Sequence, residues 1–275
     1  MPIERINGID MMYKEFGRGP TIVWVHGGGG THLSWFQQIP AFAKDFRCVV
    51  IDQRGFGRST DPDGEGTARF ADDLEVLCER LGIDTLSIVA QSMGGITAMD
   101  FTVRHQARVS ALVMCDTWGW INWPEVAERA LQLRTANEAN PRRSRSIHEV
   151  LNAQRPPDER DLEVAYASGF SEAHPAMALL MNLNFFELPR PSEVGQRPYR
   201  VSPYGPEALA NLRVPSMFLV GEEDVLVPPE IMRTVSAAIP GAEYVEIKGS
   251  GHSVYWEDPE QFNRVVFDFI SKFAL

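Results

Sequence analysis

Leu86-Ser87-Ile88-Val89-Ala90-Gln91-Ser92-Met93-Gly94-Gly95 carries an apolar, strand-like run straight into one serine and then into glycines that open a helical pattern. A strand-to-helix reversal this abrupt holds its central residue at a strained, exposed point, where an attacking hydroxyl has to stand. Ala90, Gly94 and Gly95 are small enough for the two elements to close on each other. Ser92 is therefore the candidate nucleophile. A glycine-rich turn with an incidental serine is the alternative that these ten residues alone leave open.

Upstream, Thr21-Ile22-Val23-Trp24-Val25-His26 reads as a strand ending in four glycines. Residues 33–44 read as a helix and Cys48-Val49-Val50-Ile51-Asp52 as the next strand. Residues 67–81 are amphipathic, with Phe70, Leu74, Leu77, Cys78 and Leu81 on one face. Beyond Ser92 come a helix to about Arg104 and the strand Ala111-Leu112-Val113-Met114-Cys115. Strand and helix in repeated alternation, with near-continuous apolar strands, predict a parallel sheet covered on both faces.

The rhythm stops between Trp118 and about Pro206, a stretch helical in pattern, rich in Arg, Glu and Pro, with no good strand. It resumes with a strand at 214–220, a helix at 229–239, a strand at 242–247 and a helix at 258–273. The expected organisation is an α/β core domain, 1–117 and 207–275, with a helical cap, 118–206, inserted after the sixth strand.

At 275 residues, 44% apolar and 23% charged, the chain has the balance of an ordinary soluble globular protein. A net charge of −11 argues against a nucleic-acid partner, which calls for a basic face. Cys48, Cys78 and Cys115 form no CxxC pair and fit buried thiols in a reducing compartment. The start, Met1-Pro2-Ile3-Glu4-Arg5-Ile6, lacks the apolar core of a secretory signal, and no run has the length to cross a bilayer. A cytoplasmic protein with no membrane partner is expected; oligomeric state is left open.

A serine hydroxyl needs a base, and the base needs an orienting partner. Of six histidines, only His26 and His252 fall on loops at strand ends. His252, in Gly249-Ser250-Gly251-His252-Ser253, is the candidate base; His26 reads as a packing residue under the glycine loop. Asp224, in Gly221-Glu222-Glu223-Asp224-Val225-Leu226-Val227-Pro228, is the candidate acid. Asp116, after the strand 111–115, is the alternative. Serine, acid and histidine each follow a strand, on the rim where open parallel sheets carry their sites. Glu222 and Glu223 read as solvated loop charges, and Asp52 and Arg54 as residues that fix a turn. Other site types fail on spacing: there is no GxGxxG, no GxxxxGK[ST], and His148-Glu149 has Asn152 where a zinc helix needs histidine. No metal is expected.

Taken together, the chain resembles the α/β-hydrolase superfamily in its serine hydrolase branch. His26-Gly27-Gly28-Gly29-Gly30 resembles the family's oxyanion loop, Asp52-Gln53-Arg54-Gly55-Phe56-Gly57-Arg58-Ser59 its following turn, and the loops at 221–224 and 251–252 its acid and base loops. The elbow departs at its first position, where Ala90 stands in place of glycine. The resemblance implies acyl transfer: His252 takes the proton of Ser92, Asp224 holds the imidazole, and the N–H groups of Met93 and Gly28, with Gly27 as the alternative, bind the oxyanion. It implies a small-molecule carbonyl substrate and no cofactor. Ser92 argues against haloalkane dehalogenases and epoxide hydrolases of this fold, whose nucleophile is aspartate.

Trp118, Trp120, Trp123, Met177, Met181 and Phe185-Phe186 sit in the insertion, where such spacing mostly means packing. Trp35, Trp118, Leu226, Val227 and Val254 are candidates to line a pocket over Ser92, and Arg155, Arg190, Arg197 and Arg200 to pair with a substrate carboxylate. The run 251–263 and the glycine loop are similar to C–C bond hydrolases of aromatic ring-fission products. The run 52–59 and the elbow are similar to enol-lactonases and small esterases. Ester or lactone hydrolysis is the expectation, C–C cleavage the alternative, and a ligand-binding member without turnover the reading from another class.

Overall fold

Side chains along the central strand alternate between two cores, because successive residues of a strand face opposite sides of the sheet. Ile22 and Trp24 enter one core, Val23 and Val25 the other. The computed structural model describes residues 2–137, 165–186 and 201–274. Its sheet has eight strands: β1 (Ile3–Ile6), β2 (Ile9–Phe16), β3 (Thr21–Val25), β4 (Arg47–Ile51), β5 (Leu86–Gln91), β6 (Val109–Cys115), β7 (Ser216–Gly221) and β8 (Glu243–Ile247). Their spatial order is β1-β2-β4-β3-β5-β6-β7-β8. β1 and β2 run antiparallel to their neighbours and the remaining pairs are parallel.

The longer helices among the described residues are α1 (Phe70–Arg80), α2 (Gly94–Arg104), α3 (Pro124–Asn137), α4 (Pro175–Phe186), α5 (Pro229–Ala237) and α6 (Pro259–Ser271). Leu74 and Leu77 of α1, Met99 of α2 and Met232 of α5 cover one face; Phe262, Val266 and Phe269 of α6 cover the other. The doubly wound α/β architecture expected from the alternation is what the chain adopts. None of the described helices is long and apolar enough to cross a membrane.

Two differences from the sequence reading have physical causes. The helix expected over 33–44 is broken into a 3-10 turn, His32–Trp35, and one α-turn, Ile39–Phe42. Pro40 has no N–H for the ladder and collides with the preceding turn, so helix restarts with proline in its first turn. The hairpin β1–β2 had not been expected, although Ile6-Asn7-Gly8-Ile9 carries its signal. Asn7 (φ 41°) and Gly8 (φ 81°) both take positive φ, the requirement of the tight turn that matches strand twist.

Strand order positions the site. From β3 the chain moves to β4 on one side, then returns to β5 on the other and continues outward to β8. The loops after β3 and β5 therefore part in opposite directions, and the crevice between them is where sheets of this kind bind ligands.

Candidate active site

Ser92 stands at the end of β5 with φ 47°, a left-handed conformation uncommon for a side chain of this kind. Its N–H donates to Cys115 O at the end of β6 (3.0 Å), and its carbonyl accepts from Gly95 N at the start of α2 (2.8 Å). The turn tolerates no bulk. A Cβ on Gly94 would come within 2.5 Å of Val25 O, and one on Gly95 within 2.2 Å of the Thr117 hydroxyl. Alanine at 90 is accommodated in the fully buried β5, and the reversal forms with it. Gln91 and Met93 are buried, whereas Ser92 keeps part of its surface open.

The loops after β7 and β8 bring Asp224 and His252 to the serine. His252 Nε2 is 2.9 Å from Ser92 Oγ, and Nδ1 is 2.8 Å from Asp224 Oδ2. The other carboxylate oxygen of Asp224 accepts the N–H groups of Leu226 (2.8 Å) and Val227 (2.9 Å). That anchorage fixes the carboxylate as an acceptor toward Nδ1, which carries the proton, leaving Nε2 to accept from the hydroxyl. Burial alone would make the imidazole harder to protonate. The charge and hydrogen bond of Asp224 outweigh it and hold His252 above its ordinary value of 6.5.

Asp116, the alternative acid, is fully buried beside this pair at φ 49° but bonds elsewhere. Its Oδ1 accepts Gly221 N–H (3.1 Å) and its Oδ2 lies 3.1 Å from Cys115 Sγ. Burial, then the charge of Asp224, pushes its carboxyl up to about 8. The structure thus brings Asp224, not Asp116, to His252.

The glycine loop presses on the serine from the other side: a Cβ on Gly27 would stand 3.0 Å from Ser92 Cβ. Met93 follows Ser92 as the N-cap of α2, and Gly28 follows Gly27 in the glycine loop. His26 lies beneath, its Nδ1 2.8 Å from Gly27 O and its Nε2 accepting from Gln53 N–H (3.0 Å). Burial lowers its proton affinity, in keeping with a neutral packing residue. Asp52 and Arg54 organise the 52–59 turn. Arg54 pairs with both carboxylate oxygens of Asp73 (2.7 and 2.9 Å), and Asp52 accepts Arg58 N–H (3.0 Å).

The expected pocket residues divide. Trp35 is fully buried between Trp24 (5.2 Å between ring centres) and Tyr255 (4.8 Å), a core position beneath the glycine loop rather than a rim. Val254 is likewise fully buried; Trp118, Leu226 and Val227 are buried with little exposure. Trp118 stacks on Trp120. From the segment between β6 and β7, Met181 joins the core, Phe185 packs where a side chain on Gly29 would be, and Asn184 accepts from the Thr31 hydroxyl (3.0 Å). The side chain of Phe186, together with His148, Arg155, Arg190, Arg197 and Arg200, lies outside the described residues. Among the described residues no group of three or more His, Cys, Asp or Glu side chains is placed to hold a metal ion.

Three side chains make contacts that escaped sequence reasoning. Gln91 Nε2 donates to His252 O (2.9 Å), tying the elbow to the base loop. Glu223, read as solvated, accepts Ser168 N–H (3.0 Å), and Glu257 accepts the amides on both sides of His252. Side chains that satisfy single backbone groups leave no periodic pattern to read.

Residues 20–259 match the profile of the alpha/beta hydrolase fold family. The chain belongs to that family. RutD of Serratia proteamaculans (strain 568), provisionally named a carbamate hydrolase, is 26% identical, over 96% of this chain and 95% of that protein. The 2-hydroxy-6-oxo-6-(2'-aminophenyl)hexa-2,4-dienoic acid hydrolase of Metapseudomonas resinovorans is 27% identical, over 97% and 89%. Among solved structures, the enol-lactonase from Burkholderia xenovorans LB400 superposes with a TM-score of 0.80 at 25% identity, over 98% of this chain and 100% of that one. As an α/β-hydrolase with such relatives, the protein is a hydrolase.

Proposed function

We propose that the protein is a serine hydrolase that opens a small ester or lactone through an acyl-enzyme on Ser92. The observation that carries the reading is the continuous relay from Ser92 Oγ to His252 to Asp224, at 2.9 and 2.8 Å. His252 Nε2 takes the hydroxyl proton as Oγ adds to the carbonyl carbon, and Asp224 stabilises the imidazolium that forms. The N–H groups of Met93 and Gly28, with Gly27 the alternative donor, receive the oxyanion; one such donor is worth about 3 kcal/mol of barrier. His252 returns the proton to the leaving oxygen, then activates water to release the acyl group. The segment 118–206 serves as a helical cap over this centre, a reading supported by Phe185 against Gly29 and Asn184 on Thr31.

Cleavage of a C–C bond in a vinylogous 1,5-diketone is the second reading, favoured by the similarity to the hexadienoic acid hydrolase. Parallel assays with p-nitrophenyl esters, lactones and such a diketone separate the two by which bond is broken. A fluorophosphonate is expected to label the protein covalently at Ser92 and to leave Ser92→Ala unlabelled. An unlabelled wild-type protein would turn the reading toward a ligand-binding member of the family.

A further inference from the structure

Glu257 belongs to none of the three reacting side chains, yet it grips the base loop from outside. It closes the single helical turn Val254–Glu257 that follows His252. Its Oε1 accepts the N–H of Gly251 (2.9 Å) and of Ser253 (3.2 Å), the residues on either side of His252. Its Oε2 accepts the N–H of Ala167 (2.6 Å), from the segment between β6 and β7.

The layers around it touch backbone to backbone. A Cβ on Gly221, at the end of β7, would stand 2.1 Å from Gly251 O, and one on Gly251 would stand 2.3 Å from the carbonyl carbon of Tyr166. The base loop is therefore clamped between strand end and segment, with Gln91 holding His252 O from a third side. Within such a stack one ionised carboxylate on three amides makes strong, directional bonds. It fixes the peptides on both flanks of residue 252, and so the height of the imidazole over Ser92.

We propose that Glu257 is a positioning residue: through the amides of Gly251 and Ser253 it sets His252 against Ser92, and through Ala167 it makes that setting depend on the seated 165–170 segment. The proposal rests on the serine-hydrolase reading. Glu223 supplies the internal contrast. It accepts Ser168 N–H from the same segment, whereas the amides that flank His252 donate to Glu257.

The test compares wild type, Glu257→Gln, Glu257→Asp, Glu223→Gln and Ser92→Ala in the whole chain, by ester turnover and by the saturated rate of phosphonylation. It is run at pH 8 because burial lifts the Glu257 carboxyl to about 7. Glu257→Gln puts an amide N–H against a backbone N–H. It is expected to lower kcat and the phosphonylation rate together, roughly 10- to 100-fold as misplacement by an ångström does, with KM nearly unchanged. Glu257→Asp keeps the charge but cannot span both sides, so it should fall between. Glu223→Gln should move KM more than kcat.

Wild-type kcat and phosphonylation in Glu257→Gln would overturn the proposal, as would the same KM-only change in both glutamine variants. If circular dichroism shows Glu257→Gln unfolded, Glu257→Asp decides by the same criterion: an undiminished kcat sinks it. Ser92→Ala separates the two layers, since turnover retained there would remove the serine reading itself, whereas a dead Ser92→Ala beside an unimpaired Glu257→Gln removes only this one.

Discussion

Two histidine–aspartate pairs flank the glycine loop, and by distance they are twins. His252 Nδ1 is 2.8 Å from Asp224, and His32 Nδ1 is 2.8 Å from Asp52. Both carboxylates are fully buried, and both imidazoles nearly so. What separates them is the rest of the bonding. Asp52 Oδ1 also accepts the backbone N–H of His32 itself (2.7 Å), and Oδ2 accepts Arg58 N–H (3.0 Å), so the pair staples the loop after β3 to the turn after β4. Asp224 spends its second oxygen on amides of its own loop, and the far nitrogen of His252 faces a hydroxyl at 2.9 Å. On the proposed reading a buried His–Asp pair does not by itself mark the base; the serine hydroxyl at the second ring nitrogen of His252 does.

Breaking each pair in turn should expose that difference. Asp224→Asn is expected to lower kcat by about 10⁴-fold with little change in fold, because the amide favours the wrong imidazole tautomer. Activity within tenfold of wild type would show that Asp224 does not orient the base. Next in size is pH. In the proposed mechanism neutral His252 is the base, and its pKa is raised, so the rate should fall as pH drops through a value above 6.5. Stability linked to the same group runs the other way, fullest below 6.5 and lost as pH rises through the raised value. A flat rate from pH 5 to 8 would exclude His252 as base.

Asp52→Asn should instead cost stability, about 1–3 kcal/mol, because its new amide N–H faces the Arg58 N–H in a buried site. Its kcat should stay within a few-fold, read beside a urea melt. The Asp52 carboxyl is held below its usual range: burial works against this, and the hydrogen bond and charge of His32 prevail. Its share of stability is therefore present above pH 4 and lost as pH falls further. A catalytic collapse in Asp52→Asn without loss of stability would erase the distinction between the pairs.

The sequence made some of this legible and not the rest. Ser92 and Asp224 each follow a fully buried strand and His252 follows the half-buried β8, and the small residues around Ser92 announce a turn that admits nothing larger. Those signals are local. Trp35 looked like a pocket wall because it follows the glycine loop by a few residues, but tertiary packing draws it wholly into the core. Position after a strand singled out His252, but the His32–Asp52 pair left no signal, since its partners lie 20 residues apart along the chain. The break at Pro40 and the Asn7-Gly8 hairpin were readable and were outweighed by the surrounding apolar pattern.

Asp116 allows the finest cut, because it shares the rim with Asp224 and bonds to neither histidine. Its carboxyl is raised to about 8, first by burial and then by the charge of Asp224, so it carries a proton at neutral pH. Asparagine has nearly the shape of that protonated acid and can still accept Gly221 N–H. Asp116→Asn should therefore leave kcat/KM within about threefold at pH 7. The sign of its stability effect is the sharper observable. A folded-state pKa far above that of the unfolded chain makes the wild-type protein lose stability as pH climbs from about 4 to 8, and the variant has no such group to titrate. Its melting temperature relative to wild type should rise across that window, by about 2–4 °C for each kcal/mol relieved. A difference in melting temperature that does not change between pH 4 and 8 would mean that Asp116 is ionised in the folded protein, and the two rim carboxylates would then have to share their charge.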